Sequence, residues 1–168
     1  IQLKNLEKII IIEALSKGKA VIIRLDNGFS IISHNQLYGK WTFHRPDTVI
    51  KSNRQLRIEF TTKSKAVRLW SATDIQVFRS SDESRHSYLN KIGPDVLDTS
   101  TTKNSIISIL KGKKAYKRAL SSVLLDQSII SGLGNYLRSE ILFFASLQHT
   151  QKVSNLKEQK ILDLANSI

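Results

Sequence analysis

Apolar residues recur with one period up to about residue 79 and with another beyond it. That single change commits the chain to a strand-built segment followed by a helix-built one. Ile9–Glu13 is a short apolar run, and Lys19–Leu25 and Phe29–Ser33 flank Asp26-Asn27-Gly28, whose Asn-Gly step signals a hairpin turn. Gly39 breaks the chain before Lys40–His44, and Gln55–Thr62, Ala66–Trp70 and Asp74–Phe78 follow. Short strands at this spacing predict an antiparallel sandwich or barrel. Past residue 80 the spacing predicts helices over Ser84–Lys91, Thr102–Leu110, Tyr116–Leu125 and Tyr136–Ala145, with Ser154 as the N-cap of a last one. The expected fold class is therefore α+β: an antiparallel β-sandwich over residues 1–80, then a helical domain over 81–168.

Charge narrows the partners. The chain carries 26 Lys and Arg against 14 Asp and Glu, a net +12, and both the strand-built and the helix-built segments are net basic. A balance this basic points to nucleic acid or an anionic membrane surface, and two basic halves would suit a ligand lying across their junction. A uniformly solvated basic surface is the plain alternative. The longest all-aliphatic run, Ile9 to Ile12, is far short of the ~18–20 residues that span a bilayer, so no membrane partner is expected. Zero cysteines exclude disulfides and a Cys-based zinc site within these residues and favour a reducing compartment. His34, His44, His86 and His149 are scattered, so no metal site is expected. The chain opens at Ile1 without any methionine and stops inside the helical pattern Ile161, Leu164, Ala165, Ile168. Both ends are expected to be cuts in a longer product.

One phrase stands out: Leu124-Leu125-Asp126-Gln127-Ser128, then Gly132-Leu133-Gly134-Asn135-Tyr136-Leu137-Arg138 and on to Phe143. Two helices joined by a tight, glycine-bearing double turn present backbone N–H groups at the second helix start, which attracts anions. Asn135 at that start is able to cap the helix or to offer its amide to a phosphate. Glycines that merely let a helix hairpin pack closely explain the same spacing.

The phrase resembles the helix–two-turns–helix element of the formamidopyrimidine-DNA glycosylase family. Three further stretches agree, in the family's order. Lys17-Gly18-Lys19-Ala20 resembles the strand carrying a catalytic-site lysine. Ser33-His34-Asn35-Gln36-Leu37-Tyr38-Gly39 is similar to the loop that enters the DNA, in the form of the endonuclease VIII branch. Lys91-Ile92-Gly93-Pro94-Asp95-Val96-Leu97 resembles the interdomain segment. The resemblance implies a bifunctional DNA glycosylase and AP lyase of base-excision repair. Such an enzyme removes oxidised pyrimidines from double-stranded DNA by base flipping, Schiff-base formation and β/δ-elimination. It further implies a monomer in the bacterial cytoplasm, associated with the nucleoid.

Carried over residue by residue, the resemblance makes Lys19 the catalytic candidate, close to the reacting sugar and its phosphate. It makes Gln36, Leu37, Tyr38, Lys91, Asn135 and Arg138 the DNA-binding candidates. Leu37 offers a wedge for the gap left by an extruded base, Tyr38 a stacking face, and Gln36 a two-way hydrogen bonder for the orphaned partner. An ordinary strand end with Tyr38 in the core is the bland reading of those three residues. Asn135 matches a residue at the lesion phosphate, and Arg138 lies one turn further. Lys91 stands where close relatives have arginine, keeping the charge but losing the bidentate fork. Lys111, Lys113, Lys114, Lys117 and Arg118 read as backbone contacts or, equally, as a solvated face.

The family's chemistry starts from an N-terminal proline, followed by a glutamate, and its last domain is a zinc finger with a phosphate-binding arginine. The opening Ile1-Gln2-Leu3 resembles an interior point of the first domain, and the zinc finger is absent from these residues, so the sandwich is expected to be incomplete and no cofactor is expected. The alternative function is thus a non-catalytic fragment that binds damaged DNA. RNA binding, suggested by helix–two-turns–helix elements in a small-subunit ribosomal protein, is opposed by the β half and its loop.

Overall fold

A computed structural model describes residues 8–168, and the opening Ile1-Gln2-Leu3 lies outside the described residues. The chain divides into two compact units between His86 and Ser87.

The first unit holds strands β1 (Ile11–Lys17), β2 (Ala20–Leu25), β3 (Phe29–His34), β4 (Lys40–His44), β5 (Leu56–Thr61), β6 (Ala66–Trp70) and β7 (Asp74–Arg79). They form two antiparallel sheets, ordered β1-β2-β3-β7 and β4-β6-β5. Ile23, Leu25 and Ile31 pack with Ile75 and Val77 of their own sheet and with Trp41, Ile58 and Phe60 of the other. Ala20, Ile22 and Ile32 on the opposite face are buried as well, which is why these strands read as nearly continuous apolar runs. Asn27 and Gly28 make the β2–β3 turn. Gly28 sits at φ 80°, where a residue without Cβ is unstrained. The Asn27 Oδ1 accepts from the Phe29 N–H at 3.2 Å.

Two expectations change here. Lys19 is not in a strand; with Gly18 at φ 58° it forms the two-residue turn that pairs Lys17 with Ala20. The helix expected over 84–91 is instead a short 3₁₀ segment, Ser80–Arg85, followed by turns. Long-range bonds hold that segment to the sheet. The Arg24 guanidinium grips the Glu83 carboxylate twice, at 2.8 Å each, and the Ser30 hydroxyl donates to it at 2.6 Å.

The second unit holds α1 (Lys103–Lys111), α2 (Leu120–Val123), α3 (Asn135–Phe144) and α4 (Glu158–Ser167) around Ile106, Leu110, Leu120, Leu124, Ile130, Leu133, Ile141 and Leu164. Thr102 caps α1, its hydroxyl accepting the Ser105 N–H at 3.2 Å, the usual way a threonine satisfies a helix start. The helix expected from Tyr116 starts only at Leu120. The Leu120 and Ser121 N–H groups donate to the Gln151 and His149 carbonyls, not to the carbonyls four residues back that a helix begun at Tyr116 would use. Ser154 is no N-cap: it lies inside a 3₁₀ turn, Val153–Asn155, and α4 begins after Lys157 without a side-chain cap. Among the described residues no helix is long and apolar enough to cross a membrane.

Hydrogen bonds from Arg24 first, and from Ser30, hold the mostly buried Glu83 carboxyl below the usual carboxylate range. A carboxyl whose pKa is lower folded than unfolded contributes stability that is complete above about pH 4.5 and is lost as pH falls further. Thermal melts should therefore show the first unit weakening from pH 5 to pH 3. Glu83→Gln should lower the melting temperature at pH 7 and flatten that acid decline. An equally steep decline in the variant would show that Glu83 is not its source.

Candidate nucleic-acid interface

In the first unit the features gather at one end of the four-stranded sheet. Ala20 pairs with His34, and His34 pairs with Asp74, so the first residue of β2, the last of β3 and the first of β7 lie side by side. Lys19 precedes Ala20, and burial pulls its amine below the usual lysine range. The half-buried His34 imidazole is likewise pulled down by burial, against the opposing pull of the Asp74 carboxylate. Asp74 Oδ1 lies 3.5 Å from Nε2 of the fully buried His86 and accepts from Gln76 Nε2 at 3.1 Å. Sequence reasoning did not single out His34, Asp74 and His86 as a group. Only the cross-strand register assembles them, although the alternation in Asp74–Phe78 was a signal that Asp74 opens a strand.

From His34 the chain enters the loop 35–39. The Gly39 N–H donates to the Asn35 carbonyl at 2.8 Å, and a Cβ at Gly39 would lie 2.6 Å from the Asn35 Cα, so only glycine closes the loop. Gln36 is held at φ 50°, a left-handed conformation uncommon for residues other than glycine. Leu37 is 88% exposed and Tyr38 69%, so neither belongs to the core. Gln36, Leu37 and Tyr38 thus form one projecting tip that starts beside the strand end next to Lys19.

In the second unit the double turn is built around two side chains. Asp126 Oδ1 accepts from both the N–H and the hydroxyl of Ser128, at 3.0 and 2.7 Å, while Oδ2 accepts from Arg118 at 2.8 Å. Those bonds, Ser128 first, hold its carboxyl below the usual range. Gln127 donates to the Leu125 and Leu133 carbonyls and accepts from the Gly132 N–H, which spans both turns with one amide. Gly132 sits at φ 95°. The segment 93–96 lies against this turn. Ser131 donates to the Pro94 carbonyl, Val96 donates to the Ser131 carbonyl, and a Cβ at Gly93 would lie 2.4 Å from the Ile129 oxygen.

Out of this turn rises α3. Its N-cap is Gly134, so Asn135 is the first helical residue and not the cap; its side chain is exposed. The first intrahelical bond of the helix runs from the Arg138 N–H to the Gly134 carbonyl at 2.8 Å. The N–H groups before it consequently face out of the helix end. Asn135 and the half-buried Arg138 are thereby one turn apart at a helix start. Lys91 is exposed, in the turn closed by its own N–H on the Tyr88 carbonyl. Of the basic run, Arg118 is committed to Asp126 and Ser122, and Lys111 pairs with Glu158. Lys113, Lys114 and Lys117 remain exposed. The chain has no cysteine, and among the described residues no group of three His, Asp or Glu could hold a metal, so these residues do not fit a zinc site.

Comparison with known proteins gives consistent answers. Residues 92–168 match the family model described as the formamidopyrimidine-DNA glycosylase H2TH domain. Endonuclease 8 of Klebsiella pneumoniae is 38% identical over 153 residues, 91% of this chain and 58% of that protein. Endonuclease 8 of Salmonella agona is 36% identical over the same shares. The chain thus spans little more than half the length of these relatives. Among solved structures, the Lactococcus lactis formamidopyrimidine-DNA glycosylase bound to DNA with an AP site superposes with a TM-score of 0.78 at 21% identity, over 95% of this chain and 60% of that one. Another structure of that Lactococcus protein, which holds DNA containing an oxidised pyrimidine, fits equally well. The sandwich, the double turn and these likenesses agree: residues 92–168 match the H2TH domain of formamidopyrimidine-DNA glycosylases, and 91% of the chain is similar to endonuclease 8 proteins.

Proposed function

We propose that the chain is the DNA-gripping part of a DNA glycosylase and AP lyase that removes oxidised pyrimidines from double-stranded DNA in base-excision repair. The observation that carries this reading is the projecting tip, where an apolar and an aromatic side chain stand 88% and 69% exposed on a loop that only glycine closes. Burial in the protein does not account for such a tip; insertion into a base stack does.

Extruding a damaged base opens a gap that favours collapse. Leu37 fills the gap as a wedge, Tyr38 stacks on a neighbouring base, and Gln36 bonds the orphaned partner. Lys19, at the same sheet end, holds a phosphate oxygen when charged and moves a proton during β- and δ-elimination when neutral. Lys19 is an exposed residue whose amine is partly desolvated, which lowers its pKa from the ordinary lysine range and so favours the neutral form. Asn135 and the N–H groups of the α3 start bind the phosphate at the lesion, and Arg138 supports it. Lys91, Lys113, Lys114 and Lys117 add backbone attraction without base information. The protein acts as a monomer on the chromosome, in the bacterial cytoplasm.

Binding measured on duplexes with and without one abasic site tests the tip. Both affinities should fall linearly on a log–log salt plot, with a slope of about −0.9 per phosphate neutralised. Leu37→Ala should cut the preference for the abasic duplex about tenfold, since base stacking is worth ~1–3 kcal/mol, and should leave intact-duplex binding almost unchanged. Equal losses on both duplexes would make the loop structural.

For Asn135→Ala the expected result is weaker binding to every duplex alike, with a melting temperature close to wild type, because Gly134 holds the cap position. A large drop in stability with affinity retained would contradict the phosphate role.

Lyase chemistry is read on the abasic duplex by nicking and borohydride trapping. The 168-residue chain should nick slowly, and faster as pH rises from 7 to 9 and more of the Lys19 amine is neutral. Lys19→Ala should remove that activity. A borohydride adduct unaffected by Lys19→Ala would place the Schiff base on another amine, and nicking unaffected by it would overturn the role of Lys19 in elimination.

A further inference from the structure

Two side chains outside the tip hold it from separate segments of the chain. The Thr73 hydroxyl donates to Gln36 Oε1 at 2.8 Å, and Arg54 Nη1 donates to the Tyr38 carbonyl. Neither is a neighbour in sequence. Thr73 belongs to the short connection between β6 and β7. Ser71 there is fixed at φ 52° with its N–H on the Gln55 carbonyl at 2.8 Å, and Ala72 is wholly buried. Arg54 precedes Gln55, so the segment that anchors the Thr73 connection is also the one that carries the second brace.

We infer that Thr73 is a positioning residue that sets which end of the Gln36 carboxamide meets the base opposite the lesion, and that Arg54 fixes the Leu37–Tyr38 tip beside it. This inference rests on the proposed insertion of the tip into DNA. A carboxamide has an acceptor end and a donor end, and either end suits some base edge. With the acceptor end engaged by Thr73, the N–H₂ end is the one left to offer a ligand. The Thr73 bond holds that carboxamide before any DNA arrives, so little ordering is left to binding. The tip therefore offers the orphaned base a donor. At the middle of the Watson–Crick edge, adenine presents the bare N1 as acceptor, whereas guanine presents N1–H, a donor facing a donor. The two purines stack over similar areas, so the contrast isolates the hydrogen bond.

The test uses the 168-residue chain and abasic-site duplexes that differ only in dA or dG opposite the gap, with an intact duplex as reference. Wild type should bind the dA duplex about fivefold more tightly than the dG duplex, the ratio one net hydrogen bond supplies. Thr73→Val keeps the shape and removes the hydroxyl; it should bring the ratio close to one while the preference for abasic over intact duplex persists. Thr73→Ser should restore the ratio, which a merely structural role for the threonine methyl would not do. Arg54→Gln should reduce the abasic preference and leave the dA/dG ratio in place. A ratio unchanged in Thr73→Val, or lost in both variants, overturns the inference. So does a wild-type ratio of one on a chain that still prefers abasic DNA. A wild type with no abasic preference at all overturns the insertion reading itself, and this inference with it.

Discussion

The register of β3 between β2 and β7 is the constraint on which the first unit depends. Side chains alternate faces along a strand, so a slip by one residue would turn Ile23, Ile31 and Val77 away from Trp41 and Phe60. The same slip would part Ala20, His34 and Asp74, whose alignment puts Lys19, the imidazoles and the tip at one sheet end. Core and site are therefore specified together. The burial of β2 and β3 on both faces makes the register costly to change, and the chemistry-bearing groups inherit that rigidity. The Gly28 turn fixes the β2–β3 hairpin locally, while the Arg24–Glu83 contact ties the far end of the unit back to β2.

The second unit solves a different problem. A double turn with buried Ile129, Ile130, Ser131 and Leu133 must satisfy its backbone without water, because an unpaired buried peptide group costs about 1–3 kcal/mol. Gln127 serves three backbone groups with one side chain, Asp126 serves Ser128, and the segment 93–96 supplies the rest as an added strand-like partner. The helix start that emerges is consequently held on several sides, while Asn135 and Tyr136 at its tip stay exposed. Arg118 shows that a basic run is not all surface charge: its guanidinium is part of the turn.

Local signals made much of this legible. Asn27-Gly28 marked its hairpin, the apolar runs marked seven strands within a residue or two of most bounds, and Tyr136–Ala145 lies one residue from α3. Elements misread from the sequence are those decided by distant partners. The helix expected from Tyr116 is delayed to Leu120, because the Leu120 and Ser121 N–H groups go to the segment 149–151. Ser80–Arg85 is shaped by Arg24 and Ser30, far upstream. Lys19 left its expected strand because Gly18 next to it accepts a left-handed turn, a choice visible only once Lys17 and Ala20 are known to pair. Candidate site residues follow the same rule. The Gln36-Leu37-Tyr38 tip and Asn135 lie in contiguous motifs, whereas Thr73, Arg54 and Asp74 act on partners far off in the chain and have no motif of their own.

Magnitudes indicate what the tip is for. A left-handed conformation at a residue such as Gln36 costs roughly 1–2 kcal/mol. Leaving a leucine in water instead of the core forgoes roughly 2 kcal/mol more. Together these are a sizeable share of the ~5–15 kcal/mol that holds a domain folded. Core packing does not recover that cost, since Leu37 and Tyr38 have most of their surface in solvent; the bonds from Thr73 and Arg54 hold the tip without burying it. The net charge of +12 does not explain it either, because phosphate attraction needs only exposed cations and is indifferent to an apolar wedge. In the proposed role, charge brings the chain to any duplex and dominates affinity at moderate salt. Discrimination between intact and damaged DNA would then rest, in that role, on a few kcal/mol of stacking and hydrogen bonding that become available only where the base stack is already open. A loop strained and exposed in the free protein, and braced so that it does not relax, spends its stability where that difference is made.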